Sequence, residues 1–118
     1  MASRLCTLAV AVAACALPPA VAGAATPKPP KPGSTLKVKS TAYAGHQPTF
    51  TGAKTRHGIC AVDPDVIPLG TRFRVPGYGI CLAADIGGAV KGAFVDVWVK
   101  TERAALRWGV RTVTIRFL

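Results

Sequence analysis

Acidic residues are few in this sequence: five Asp and Glu stand against fifteen Lys and Arg, a formal net charge of +10. Histidine is scarcer still. His46 and His57 lie among Gly and Pro without spaced partners, so they carry no chemistry in this reading, and the few cysteines have no histidine spacing that would complete a metal site. No cofactor motif is present either. Long apolar runs are also missing. The longest, Leu5 to Leu17, falls short of the roughly 20 apolar residues that a membrane-crossing helix needs.

That short run has a different meaning at the start of the chain. Arg4 precedes it and Ala22-Gly23-Ala24-Ala25 follows it. A positive start, a short apolar middle and a small-residue exit are the layout of a secretory leader, read here as residues 1–25. Val12-Ala13-Ala14-Cys15 also fits a lipid-attachment box, which leaves anchoring at Cys15 as the alternative to simple cleavage. Export is expected under both readings.

Of the fifteen basic residues only Arg4 lies in the leader, so the remainder keeps fourteen against five acids, a formal +9. Such a surface seeks polyanions. Nucleic acid is not the expected one, because no helix-turn-helix, zinc finger or aromatic RNA-binding signature accompanies the charge. For an exported protein the large polyanions are the wall and its attached polymers.

Residues 26–35 interleave Pro27, Pro29, Pro30 and Pro32 with Lys28 and Lys31, the composition of an extended, semi-rigid linker. The expected domain is 36–118. It is small enough that its core is marginal and a covalent staple is useful. Alternating segments at Leu36–Tyr43, Arg72–Val75, Gly79–Ala84, Ala93–Val99 and Arg111–Leu118 are separated by Pro and Gly signals, which predicts a small, mainly β barrel. One helix is expected, with Thr101 as N-cap and Gly109 as the stop. Cys60 and Cys81 are the two cysteines left to the domain. Export favours a disulfide between them, with two buried free thiols as the alternative.

Three of the five acids sit where a surface role explains them poorly. Asp63 opens an Asp-Pro turn in Cys60-Ala-Val-Asp-Pro64, and capping that turn competes with any reactive role. Asp85 ends the run Ile80-Cys-Leu-Ala-Ala84 and precedes Ile86-Gly87-Gly88, so it lies at a strand end where glycines permit close approach. In Ala93-Phe-Val-Asp-Val-Trp-Val99, alternation places Asp96 on one face with Phe94 and Trp98. A carboxylate between aromatics needs either an ion-pair partner or a ligand.

In order, Thr41-Ala-Tyr43, Thr51-Gly52, Ala61-Val-Asp-Pro-Asp-Val-Ile-Pro-Leu-Gly-Thr71, Val75-Pro-Gly-Tyr-Gly79, Ala83-Ala-Asp-Ile-Gly-Gly-Ala-Val-Lys-Gly92 and Val95-Asp96 resemble the three-aspartate, or 3D, domain family. That family is similar to the membrane-bound lytic transglycosylase A and, more distantly, to expansins. The resemblance implies a six-stranded double-psi β-barrel with an open groove. It implies Asp85 as catalytic acid, Asp63 and Asp96 as the accompanying acids, and Lys91, Thr41 and Thr51 as polar groove positions. Backbone amides at Gly87 and Gly88 and the ring of Trp98 join them as expected substrate contacts. Ile86 departs from the commoner threonine, and Cys60 and Cys81 replace ordinary apolar residues.

The implied reaction is non-hydrolytic cleavage of the bond between N-acetylmuramic acid and N-acetylglucosamine, giving a 1,6-anhydro end. The expected partners are peptidoglycan glycan strands and anionic cell-wall polymers. An expansin-like, non-catalytic binding module and a glycoside hydrolase are the competing readings, since fold alone does not decide function.

Overall fold

A computed structural model describes residues 28–118. The leader reading over 1–25, the lipidation alternative at Cys15 and the start of the Pro/Lys segment lie outside the described residues. The chain forms β1 (Thr35–Tyr43), β2 (Ile59–Val62), β3 (Arg72–Val75), β4 (Gly79–Asp85), β5 (Phe94–Trp98), α1 (Glu102–Trp108) and β6 (Arg111–Phe117).

Alternation builds the walls. In β1 Val38 and Ser40 are buried while Lys37 and Lys39 are exposed, and in β3 Phe73 and Val75 turn inward from Arg72 and Arg74. Strand β2 shows no such pattern, because all four of its residues are buried. Local periodicity reads five strands; β2 is the sixth that the family resemblance requires. Its inner side meets the core and its outer side is covered by the β1–β2 loop.

The strands close in the order β1-β5-β2-β4-β3-β6. Pairings β1·β5 and β2·β4 are parallel, and the other four are antiparallel. This is the six-stranded double-psi barrel, and closure leaves it no free sheet edge. Val38, Val62, Phe73, Val75, Val95, Val97, Ile115 and Phe117 fill its interior. Cys60 and Cys81 join there as a disulfide with Cα atoms 5.8 Å apart, within the usual span for such a bridge. It ties β2 to β4.

Helix α1 is a flank piece. Thr101 accepts a hydrogen bond from the Ala104 amide at its start, and the Gly109 amide donates back to the Ala105 carbonyl at its end. Gly109 has φ 64°, where a side chain would be strained. Trp108 fixes the helix to β1 by donating its indole N–H to Ser40 Oγ at 3.2 Å. Among the described residues no helix is long and apolar enough to cross a membrane.

The Pro/Lys segment is drawn onto the barrel at its end. The Gly33 amide donates to the Phe117 carbonyl and the Phe117 amide to the Ser34 carbonyl, which extends the β1·β6 ladder into residues read as linker. Pro29 and Pro30 line a hollow with Pro68, Arg72 and Leu118.

Candidate functional site

The site grows from an irregularity in one ladder. Along β2·β4, Cys60 pairs with Ala83 but Ala61 pairs with Asp85, so one extra residue, Ala84, is inserted in β4. Cys81 and Ala83 point into the core. Strict alternation would send Asp85 inward after them. The bulge instead turns Asp85 outward, as bulges commonly re-aim a side chain. On the other side of β2, Ala61 pairs with Asp96 of β5. Two carboxyls on strands β4 and β5 thus flank the small side chain of Ala61 on the central strand.

A loop roofs this outer face. Phe50 donates its backbone N–H to Asp85 Oδ1 at 2.9 Å, Thr51 donates its hydroxyl to the Ala84 carbonyl at 2.7 Å, and Trp98 donates its indole N–H to the Gly45 carbonyl at 2.7 Å. Ile59, Ala84 and Trp98 form a second apolar cluster beneath it. Between loop and barrel lies a cleft of about 360 Å³, lined by Tyr43, Gln47, Thr55, Asp85, Ile86 and Asp96 among others.

Three donors converge on Asp85. Besides Phe50, the Ile86 amide reaches Oδ1 at 2.9 Å, and the Tyr43 hydroxyl reaches Oδ2 at a longer 3.3 Å. Burial, then the charge of Asp85 and that hydrogen bond, push the Tyr43 phenol well above its ordinary range, so Tyr43 keeps its proton and remains a donor. Asp96 is less well provided. Its Oδ1 accepts from Thr41 Oγ1 at 2.9 Å. Burial raises its pKa above the usual carboxylate value, the Thr41 bond pulls it partly back, and the Asp85 charge raises it further. Desolvation and a like charge both disfavour the ionised form.

Asp63 stands apart. It does not line the cleft. Its Oδ2 accepts from the Gly92 amide at 2.8 Å and its Oδ1 from the Asp65 amide at 3.0 Å, while its own carbonyl accepts from Val66 and Ile67. The Gly92 bond, then the Asp65 bond, hold its pKa below the ordinary value, with burial opposing and the Lys91 charge assisting. This is a turn cap that also clamps the segment entering β5. The structure brings two of the three aspartates together and gives the third a different neighbourhood.

The remaining expected positions separate in the same way. Gly87 lines the cleft, whereas Gly88, Lys91, Thr41, Thr51 and Trp98 do not. Thr41 acts through Asp96, and Thr51 anchors the roof. Lys91 is exposed and its charge is felt by Asp63. Trp98 is 6 % exposed, so its face is unavailable for stacking on a sugar; its ring is floor and its N–H holds the loop. Tyr43 is the residue the pattern reading passed over as a partner for Asp85. Its place two residues after Thr41 puts both side chains on one face of β1, which was the available signal. Among the described residues no cluster of His, Cys, Asp and Glu could hold a metal ion.

The fold and the site together define a closed β-barrel bearing a carboxylate-lined cleft under a loop on its outer wall. The model of the 3D domain family matches residues 59–118, half of the chain, and the chain belongs to that family. It is 42 % identical over 95 residues to the putative cell wall shaping protein YabE of Bacillus subtilis, covering 73 % of this chain and 23 % of that protein. It is 43 % identical over 93 residues to the cell wall-binding protein YocH of the same organism, covering 70 % of this chain and 32 % of that protein. The chain therefore spans no more than about a third of either relative's length.

Proposed function

We propose that this is an exported, cell-wall-associated domain that cleaves peptidoglycan glycan strands as a lytic transglycosylase, with Asp96 and Asp85 as the working pair. The observation that carries this reading is the placement of both carboxyls on either side of Ala61 in one open cleft. The wall association is supported by the names of the two relatives.

The family resemblance assigns the proton transfer to Asp85, but the local chemistry favours Asp96. A general acid has to hold a proton at working pH, and Asp96 is the carboxyl whose pKa burial and a neighbouring charge raise. Protonated Asp96 gives its proton to the bridging oxygen as the C1–O bond breaks. Positive charge then develops at the anomeric carbon, and the Asp85 carboxylate lies across Ala61 to stabilise it. The C6 hydroxyl of the same sugar attacks C1 to form the anhydro ring and returns its proton to Asp96. One carboxyl serves both steps, so the two-carboxylate arrangement of ordinary glycosidases is not required. Asp85, fixed by Phe50, Ile86 and Tyr43, is a positioned charge.

The test is digestion of purified peptidoglycan by the full chain, Asp96→Asn and Asp85→Asn, with products identified by mass spectrometry. Anhydro ends from wild type and a loss of at least about 10²-fold in Asp96→Asn are expected. Reducing ends would indicate a hydrolase. A wild type that sediments with the wall but releases no fragment would establish the binding-module reading, which the name of the cell wall-binding protein YocH favours.

A further inference from the structure

Strands β3, β6 and β1 run side by side in the barrel wall, and β1 reaches the cleft aspartates only at its last residues, through Thr41 and Tyr43. The inward residues of the three strands are core. Their outward residues include Lys37 and Lys39 of β1, Arg72 and Arg74 of β3 and Arg116 of β6, every one exposed. None of the three strands contains an acid. The register makes the wall continuous: Arg74 pairs with Arg116, Arg116 with Thr35, Lys37 with Thr114, and Lys39 with Thr112. Cations thus follow a diagonal across the sheet, with exposed threonine hydroxyls beside them.

The Arg74–Arg116 pair is the informative feature. Like charges directly opposite in a ladder destabilise a sheet, and no packing need places arginine at either exposed position. A threonine pair would serve the fold better. Arg116 donates to the Gly33 carbonyl at 3.2 Å, which uses one of its five N–H groups. The rest of both guanidiniums remain open to a ligand. Arginine forks and hydroxyls together suit phosphate. Steps along this row are roughly 5–8 Å, being alternate, diagonal or opposite positions, a range that a flexible chain carrying a phosphodiester in every repeat can follow. No aromatic side chain stands along the diagonal, since Phe73 and Phe117 face the core and Tyr43 lies in the cleft, so the bases of a single strand would find nothing there to stack on.

We infer that the β3–β6–β1 wall is a second binding surface, separate from the cleft, that docks a polyol phosphate polymer along the Lys39–Lys37–Arg116–Arg74 diagonal. It rests on the outward register of these strands and not on the catalytic reading. The wall holds a phosphate-rich polymer while the neighbouring cleft addresses the glycan, which keeps the domain on its substrate surface between encounters.

The probe is a defined poly(glycerol phosphate) oligomer titrated calorimetrically into the full chain at several salt concentrations. Lys37→Ser/Arg74→Ser/Arg116→Ser is expected to lose at least about tenfold in affinity and to flatten the log K against log salt slope by roughly 2, at about 0.7–0.9 per phosphate contact. Lys54→Ser/Lys100→Ser/Arg103→Ser, an equal change in charge elsewhere on the surface, is expected to stay within about twofold. Equal losses in the two variants would reduce the effect to diffuse net charge and overturn the inference. Tighter binding of a thymidine oligonucleotide or of phosphatidylglycerol vesicles at the same salt would overturn the choice of polymer. Should the first variant fold poorly, Lys37→Gln/Lys39→Gln leaves the arginine pair in place and is expected to lose about threefold or more; unchanged affinity there overturns the inference too. Asp96→Asn is expected to bind the oligomer like wild type, so failure of the cleft reading leaves this result intact.

Discussion

Asp85 and Asp96 reach the same cleft because each pairs with Ala61, one across a parallel ladder and one across an antiparallel ladder. The consequence is electrical. The Asp85 charge raises the Asp96 pKa, and Thr41 opposes that rise from the other side.

Two substitutions should therefore move the alkaline limb of the pH–rate profile in opposite directions. Asp85→Asn removes a like charge, so Asp96 loses its proton more readily and the limb shifts to lower pH. Thr41→Val removes a donor that favours the ionised form, so the limb shifts to higher pH, with a stability loss of about 1 kcal/mol. Glycan-release rates between pH 4 and 8 check both signs. Shifts in the same direction would remove Asp96 from the acid role.

Asp63 predicts an acid sensitivity instead. Its pKa is depressed in the folded state, so its contribution to stability is fully present above the unfolded carboxyl value and is lost as pH falls through the lower folded value. Asp63→Asn keeps one acceptor for the Gly92 or Asp65 amide but loses that linkage. Urea denaturation at pH 6 and pH 3 is expected to show a smaller drop between the two for the variant than for wild type.

The Cys60–Cys81 bridge closes a loop with a sequence separation of 21. Replacing both cysteines by alanine is expected to cost roughly 3 kcal/mol in the chain-entropy account. Thermal unfolding with and without reductant checks it: wild type should lose stability in reductant and the double variant should not respond.

Trp98→Phe keeps an aromatic ring in the floor but deletes the donor to the Gly45 carbonyl. The expected stability loss is about 1 kcal/mol. Because that bond holds the roof loop, KM for glycan fragments should rise by several-fold while kcat changes little. A direct stacking role for Trp98 predicts little change in KM, since phenylalanine would still stack.

The walls of the barrel were legible because β1, β3, β4, β5 and β6 each alternate or run apolar between Gly and Pro stops, and the boundaries read from that pattern fall within a residue or so of those observed. The helix was legible from Thr101 and Gly109, whose capping roles are local. Strand β2 was not, because burial on both sides erases a two-residue period. Trp98 misled for a related reason: alternation placed it on the face of Asp96, but the loop that covers it, 44–58, is distant in sequence and carries no periodic signal.

The sequence by itself determined the inward and outward faces of most strands, the excess of positive charge and the helix caps. Those follow from local periodicity, turn chemistry and composition. Only the tertiary structure decided that Asp85 faces out with Asp96 and that Asp63 turns to cap Gly92. The bulge at Ala84 and the joint pairing to Ala61 are properties of hydrogen-bond register between strands far apart in the chain, and a register is settled by the whole closed barrel at once.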